Sequence, residues 1–115
     1  MKNLGSIRER FLKDPLPVRL GGLAADLRRI SSSSRRSGGA EHVAAMLEES
    51  QYFIEWVAAE LEPDDAAELV EIQIMLALWK RSWFEAQRQP AQRSLLTIQA
   101  KRWSDRVLQM SGLIP

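Results

Sequence analysis

Residues 62–86, EPDDAAELVEIQIMLALWKRSWFEA, begin at the clearest boundary in the sequence and continue as a helical pattern. Apolar side chains recur there with the 3.6-residue period of an α-helix. They form one stripe of six residues: Leu69, Ile72, Leu76, Trp79, Trp83 and Ala86. Pro63 is expected to end the element before it, and Asp65 with Glu68 has the spacing of a capping box. The segment therefore predicts a long helix with a defined start.

The same segment carries a second apolar stripe, formed by Val70, Ile74, Ala77 and Phe84. A helix that is apolar on more than one side is usually surrounded by other helices. We therefore predict that this helix is central. Pro90 follows it and marks either a tight turn or a kink. If it is a kink, the long helix would need a partner chain to cover its second stripe.

Three further stripes of the same period lie on either side of this segment. They comprise Leu20, Leu23, Leu27, Ile30 and Ser34; Val43, Leu47, Ser50, Ile54, Val57 and Leu61; and Leu96, Ala100, Trp103, Val107 and Met110. No segment of useful length alternates with the period of a strand. Because the connections are short, the sequence predicts an all-α, single-domain up-down bundle of about four helices.

Two segments of the predicted domain, residues 1–115, are expected to differ from the main helices. Residues 1–14 read as a short N-terminal amphipathic helix that must dock on the bundle, since a helix this short is marginal alone. Residues 31–40, rich in Ser, Arg and Gly, read as a turn or mobile loop. Gly21 and Gly22 fall inside a predicted helix and indicate either a close helix approach or a bend.

The charges are segregated along the chain although the net charge is only +1. Residues 1–39 hold nine basic and three acidic side chains, residues 40–78 hold ten acidic and no basic ones, and residues 79–115 hold seven basic and two acidic ones. Such segregation indicates either acidic and basic helices that face each other, or a basic surface offered to an anionic partner.

Few residues suggest catalysis. The chain has no cysteine, and His42 is its only histidine, without the Glu-x-x-His spacing of helical metal sites. A magnesium site at Glu48, Glu49 and Glu71 is the one carboxylate-metal alternative that the composition leaves open. We expect no cofactor, no resident metal and no enzymatic activity.

Protein binding is the leading functional hypothesis. Tyr52 and Trp56 lie one helical turn apart beside the stripe, and exposed aromatic pairs are typical of binding surfaces. The expected partner is another protein or a second copy of the chain. The proposed contact residues are this aromatic pair and four neighbouring arginines: Arg28, Arg29, Arg35 and Arg36.

Binding of nucleic acid or another anionic surface is the alternative hypothesis. It would use five basic residues: Arg35, Arg36, Lys101, Arg102 and Arg106. Phosphate neutralisation would supply the affinity, but no familiar nucleic-acid-binding signature is present. The longest strongly apolar run, residues 72–79, is too short to cross a membrane, and residues 1–14 do not resemble a secretory signal. We therefore expect a cytoplasmic protein.

Overall fold

The computed structural model describes residues 3–113 and confirms the all-α prediction. It contains five α-helices and one 3₁₀ turn, with no strand in the described range. The helices are α1 (Leu4–Lys13), α2 (Leu16–Ser34), α3 (Ala40–Val57), α4 (Pro63–Ala86) and α5 (Pro90–Ser111), and the 3₁₀ turn is Ala58–Glu60. None of these helices is long and apolar enough to span a membrane.

Helices α2 to α5 form an up-down bundle in which each runs antiparallel to the next. In the α3–α4 pair, the Nε2 of Gln73 donates to the carbonyl oxygen of Gln51 at 3.0 Å. Lys80, later on α4, pairs with Glu48, earlier on α3, at 3.4 Å, so the two helices run in opposite directions. The Nε1 of Trp79 on α4 donates to the Oε1 of Gln99 on α5 at 2.7 Å. Residues 87–89 therefore form a turn between two separate helices, which resolves the alternative left open at Pro90.

The closest helix pair is α2 with α5, and small polar side chains hold it together. Ser104 Oγ donates to the carbonyl oxygen of Ala24 at 2.8 Å, and Ser31 Oγ donates to that of Thr97 at 2.8 Å. The hydroxyls of Ser34 and Thr97 lie 2.9 Å apart. Small residues permit this close approach because they place little side-chain volume between the two backbones.

Residues 31–34 differ from the expected turn or mobile loop. They continue α2, and both Ser31 and Ser34 are buried against α5. Their hydroxyls bond to α5 and to the α2 backbone, so they do not compete with the helix. The turn itself is limited to residues 35–39, where Gly38 and Gly39 adopt positive φ angles.

The central helix is α2, and the prediction that α4 is central is wrong. Helix α2 packs on both α3 and α5, whereas α4 packs chiefly on α3 and has only a loose contact with α5. The first stripe of α4 is buried from Leu69 to Trp83, but Val70, Ile74 and Phe84 of the second stripe are exposed. Two apolar stripes thus did not place this helix inside the bundle.

The core follows the predicted stripes closely. All five stripe residues of α2 are buried, as are Val43, Leu47, Ser50, Ile54 and Val57 of α3. On α5, Leu96, Ala100 and Val107 are buried. Phe11 of α1 joins this core by stacking on Phe53, with ring centroids 4.2 Å apart. The short first helix is therefore docked through one aromatic side chain.

The starts of the helices depend on proline more than on capping side chains. Helices α4 and α5 begin at Pro63 and Pro90, where a missing backbone N–H costs nothing. The predicted capping box at Asp65 is not formed, because the helix already begins at Pro63 and Asp65 lies in its first turn. Asp65 and Glu68 instead bind Arg106 of α5, at 3.3 and 2.7 Å.

Candidate functional site

A groove of about 860 Å³ lies between α1, α2 and α3, and we call it the α1–α3 groove. Helix α3 supplies most of its lining, with α2 and α1 on either side. The lining residues are Leu4 and Ile7 of α1, Asp26 and Arg29 of α2, and His42, Ala45, Met46, Glu48, Glu49, Tyr52 and Trp56 of α3. The groove therefore combines apolar, aromatic and acidic side chains.

One wall of the groove is aromatic. Tyr52 and Trp56 lie one turn apart on α3, and their rings stack with centroids 5.8 Å apart. Trp56 also contacts Phe11 at 5.8 Å, which fixes its orientation against the docked first helix. Both side chains are half-buried and present one face to the groove.

Asp26 forms the floor of the groove. Its side chain is only 4% exposed, and its Oδ1 accepts a hydrogen bond from Arg29 Nη1 at 2.7 Å. Its other oxygen, Oδ2, receives no N–H or O–H donor from the described residues while the carboxyl is ionised, whereas the protonated carboxyl hydrogen-bonds to Glu49. Burial and the neighbouring Glu49 carboxyl raise the pKa of Asp26 to about 7, against the opposing effect of Arg29.

The rim of the groove carries further charge. Glu48 and Glu49 are half-buried on α3, and His42 is exposed one to two turns before them. Glu48 has a cationic neighbour, Lys80 of α4, at 3.4 Å. Three carboxyl groups thus border the groove, whereas Arg29 is the one arginine that lines it. Arg29 pairs with Asp26 and Lys80 pairs with Glu48, so Glu49 is the carboxylate of the groove that has no cationic partner among the described residues.

The structure brings together three of the six predicted contact residues. Tyr52, Trp56 and Arg29 line the same groove. Arg28 lies elsewhere, 3.4 Å from Asp105 of α5. Arg35 and Arg36 are exposed in the turn after α2.

The five residues of the predicted anion-binding set are divided between two places. Arg35 and Arg36 lie in the α2–α3 turn, whereas the other three lie on α5. Lys101 pairs with Asp105 at 2.8 Å, and Arg106 pairs with Glu68 at 2.7 Å. Arg102 lines a smaller cavity together with Glu68, Glu71 and Arg106. Carboxylates thus accompany the basic side chains of α5.

The three carboxylates of the magnesium alternative are also separated. Glu48 and Glu49 border the α1–α3 groove, whereas Glu71 lies at the smaller cavity between α4 and α5. Across residues 3–113, no three His, Asp or Glu side chains are clustered closely enough to hold a metal ion together.

Asp26 is the site residue that sequence reasoning missed. It lies between Leu23 and Leu27, two residues of the α2 core stripe, so its position beside the stripe is a signal of partial burial. The partner Glu49 comes from another helix, and no local pattern connects the two. No protein-family model, curated protein or solved structure matches this chain.

Proposed function

We propose that this chain is a non-catalytic interaction protein whose α1–α3 groove binds a short basic segment of a partner protein. The observation that carries the proposal is the stacked Tyr52–Trp56 pair, which lies in the same groove as the Glu49 carboxylate. Glu49 has no cationic partner among the described residues, so a cation of the ligand would gain an ion pair there.

A lysine or arginine side chain supplies such a cation. Its N–H groups would donate to the Glu49 carboxylate, and charge-assisted hydrogen bonds are stronger than neutral ones. Asp26 lies beside Glu49 and keeps its own contacts, because Arg29 donates to its Oδ1 and its protonated carboxyl hydrogen-bonds to Glu49.

The aromatic wall favours the same ligand class. A cation over the face of a Trp or Tyr ring is attracted by the ring quadrupole. The stacked pair Tyr52–Trp56 lies beside the carboxylates in the same groove. Leu4, Ile7 and Met46 add apolar surface for a neighbouring side chain of the ligand. The volume of the groove is within the usual range for ligand sites and admits more than one side chain.

Selection from a library of random linear peptides displayed on phage tests this proposal. We expect selected peptides to share a Lys or Arg next to an apolar residue, and to bind the purified protein in calorimetry. Enrichment of acidic peptides, or of none, would overturn the proposal. A single-stranded oligonucleotide that binds the protein and displaces a selected peptide would also overturn it.

Point variants then locate the binding site. Tyr52→Ala and Glu49→Gln are expected to weaken a selected peptide by about tenfold or more each, as binding hot spots do. Glu55→Gln is the matched control, because Glu55 is an exposed glutamate of α3 outside the groove. If all three variants bind the peptide with equal affinity, the peptide binds elsewhere on the protein. Thermal unfolding of each variant shows whether a loss of affinity is caused by a loss of structure.

A further inference from the structure

A second surface of the molecule is apolar and uncovered. We call it the α4 outer face and define it as Val70, Ile74, Ala77, Leu78, Arg81 and Phe84. Val70, Ile74, Leu78 and Phe84 are between 42% and 56% exposed, and Ala77 and Arg81 are exposed too. Their spacing keeps them on one side of the helix over about 21 Å, at 1.5 Å per residue. Single exposed apolar residues are ordinary, whereas a continuous stripe of this length marks an interaction surface.

The α4 outer face has an uncharged centre and charged ends of opposite sign. No charged residue occurs between Glu71 and Lys80. Asp64 and Glu71 lie towards its N-terminal end, whereas Arg81 and Arg88 lie towards its C-terminal end. Within residues 3–113, Arg81 makes no ion pair, and Arg88 makes one, with the exposed Glu85 at 3.9 Å.

We infer that the α4 outer face binds the same face of a second copy of the chain, in an antiparallel pair whose two-fold axis passes near Ala77. In this arrangement Val70 of one copy faces Phe84 of the other, because both lie seven residues from Ala77. In a two-fold interface the same surface of both copies is in contact, so this face must be complementary to itself.

The charge distribution selects the antiparallel orientation. Arg81 of one copy then lies near Glu71 of the second copy, and the basic end of each helix lies beside the acidic end of the other. A parallel pair would bring Glu71 to Glu71 and Arg81 to Arg81, and like charges in contact are unfavourable. The helix dipoles also oppose each other in the antiparallel pair. This surface is separate from the α1–α3 groove, to which α4 contributes no residue.

Molar mass in solution tests the inference. Sedimentation equilibrium at up to about 1 mM, where even weak association is populated, is expected to approach twice the 13.1 kDa of one chain. Ile74→Glu is expected to return the mass to that of one chain. Val18→Glu is the control, because Val18 is a comparably exposed apolar residue on α2. A wild-type monomer at this concentration, or a dimer that survives Ile74→Glu, would overturn the inference.

Cysteine cross-linking tests the orientation, since the natural chain has no cysteine. Ala77→Cys lies at the proposed axis and is expected to form a disulfide-linked dimer under mild oxidation. Ala67 is exposed towards one end of α4. In an antiparallel pair the two Ala67 positions lie far apart, at opposite ends of the interface. Ala67→Cys is therefore expected to form no cross-link. Equal cross-linking at both positions would indicate parallel pairing and contradict the inference.

Charge reversal gives a second check on the orientation. Arg81→Glu is expected to weaken association, and the double variant Arg81→Glu with Glu71→Arg is expected to restore it. Weakening without restoration would contradict the proposed contact between Arg81 and Glu71 across the two copies.

Discussion

At the scale of single residues, Asp26 joins the core of the bundle to its candidate binding site. The folded protein holds the pKa of Asp26 at about 7, above the ordinary value of 3.8, because burial disfavours the ionised form. Between about pH 4 and pH 7 the folded state therefore binds more protons than the unfolded state does. The contribution of Asp26 to stability falls as the pH rises through this range.

The substitution Asp26→Asn is expected to remove this cost, since an amide cannot ionise and its N–H₂ group can donate to Glu49. The free energy of unfolding should rise by about 2–4 kcal/mol at pH 8 and change little at pH 4, as the size of the pKa shift implies. Urea unfolding at the two pH values measures the difference. Asp105→Asn is the control with the opposite sign, because Lys101 lowers the pKa of Asp105 and ionised Asp105 stabilises the fold. Loss of stability at pH 8 in the Asp26→Asn variant would contradict this account.

Two buried serines are expected to respond in opposite directions to substitution by alanine. Ser50 is fully buried on α3 and its hydroxyl has no partner among the described residues, whereas Ser104 Oγ donates to Ala24 across the α2–α5 contact. Ser50→Ala should raise the free energy of unfolding by about 1 kcal/mol, and Ser104→Ala should lower it by about 1 kcal/mol. Chemical denaturation measures both. Equal losses in the two variants would indicate that Ser50 has an unseen partner, such as a water molecule.

At the scale of single helices, the paired glycines of α2 are not equivalent. Gly22 has open space where a Cβ would be added, whereas a Cβ on Gly21 would lie 2.9 Å from Leu113 Cδ1. Gly22→Ala is expected to stabilise the protein by about 0.5–1 kcal/mol, because alanine is the better residue inside a helix. Gly21→Ala should gain less, since the Leu113 side chain must move. Thermal unfolding ranks the two variants, and a larger gain at position 21 would contradict the close contact.

Helix α1 is expected to depend on Phe11 for its attachment to the bundle. This ten-residue helix is too short to be stable alone and has one buried side chain, which stacks on Phe53. Phe11→Ala should therefore speed amide hydrogen exchange throughout α1 and leave exchange in α2 and α5 nearly unchanged. It should also weaken the peptides selected for the groove, because α1 supplies Leu4 and Ile7 to its wall. Uniform acceleration in all helices would show instead that α1 unfolds only with the whole domain.

At the scale of the whole molecule, the hypothesis of a single domain predicts a single unfolding transition. One core cluster contains residues from all five helices. Circular dichroism at 222 nm and tryptophan fluorescence should therefore give coincident urea curves, since the four tryptophans report on α3, α4 and α5. Two separated transitions would show that the helices form independent units.

The sequence alone was sufficient for the helices and for their buried sides. The period of the apolar residues, the positions of the prolines and the glycine turns each determine structure over a few residues. Each stripe of α2, α3 and α5 was therefore predictable without knowledge of the neighbouring helices. The same local information placed Tyr52 and Trp56 beside the core stripe of α3. It was not sufficient for the end of α2, because Ser31 and Ser34 bond to Thr97, more than sixty residues away in the chain.

Only the tertiary structure decided which helix is central, which stripe of α4 is uncovered and which carboxyls meet. Asp26 and Glu49 lie on different helices, and their contact depends on how α2 and α3 are rotated and shifted against each other. Alternative packings one helical turn apart bury nearly the same apolar area, so the hydrophobic pattern does not distinguish them. Local periodicity thus determined the elements of this protein, whereas the specific fit between helix faces determined its groove and its exposed apolar face.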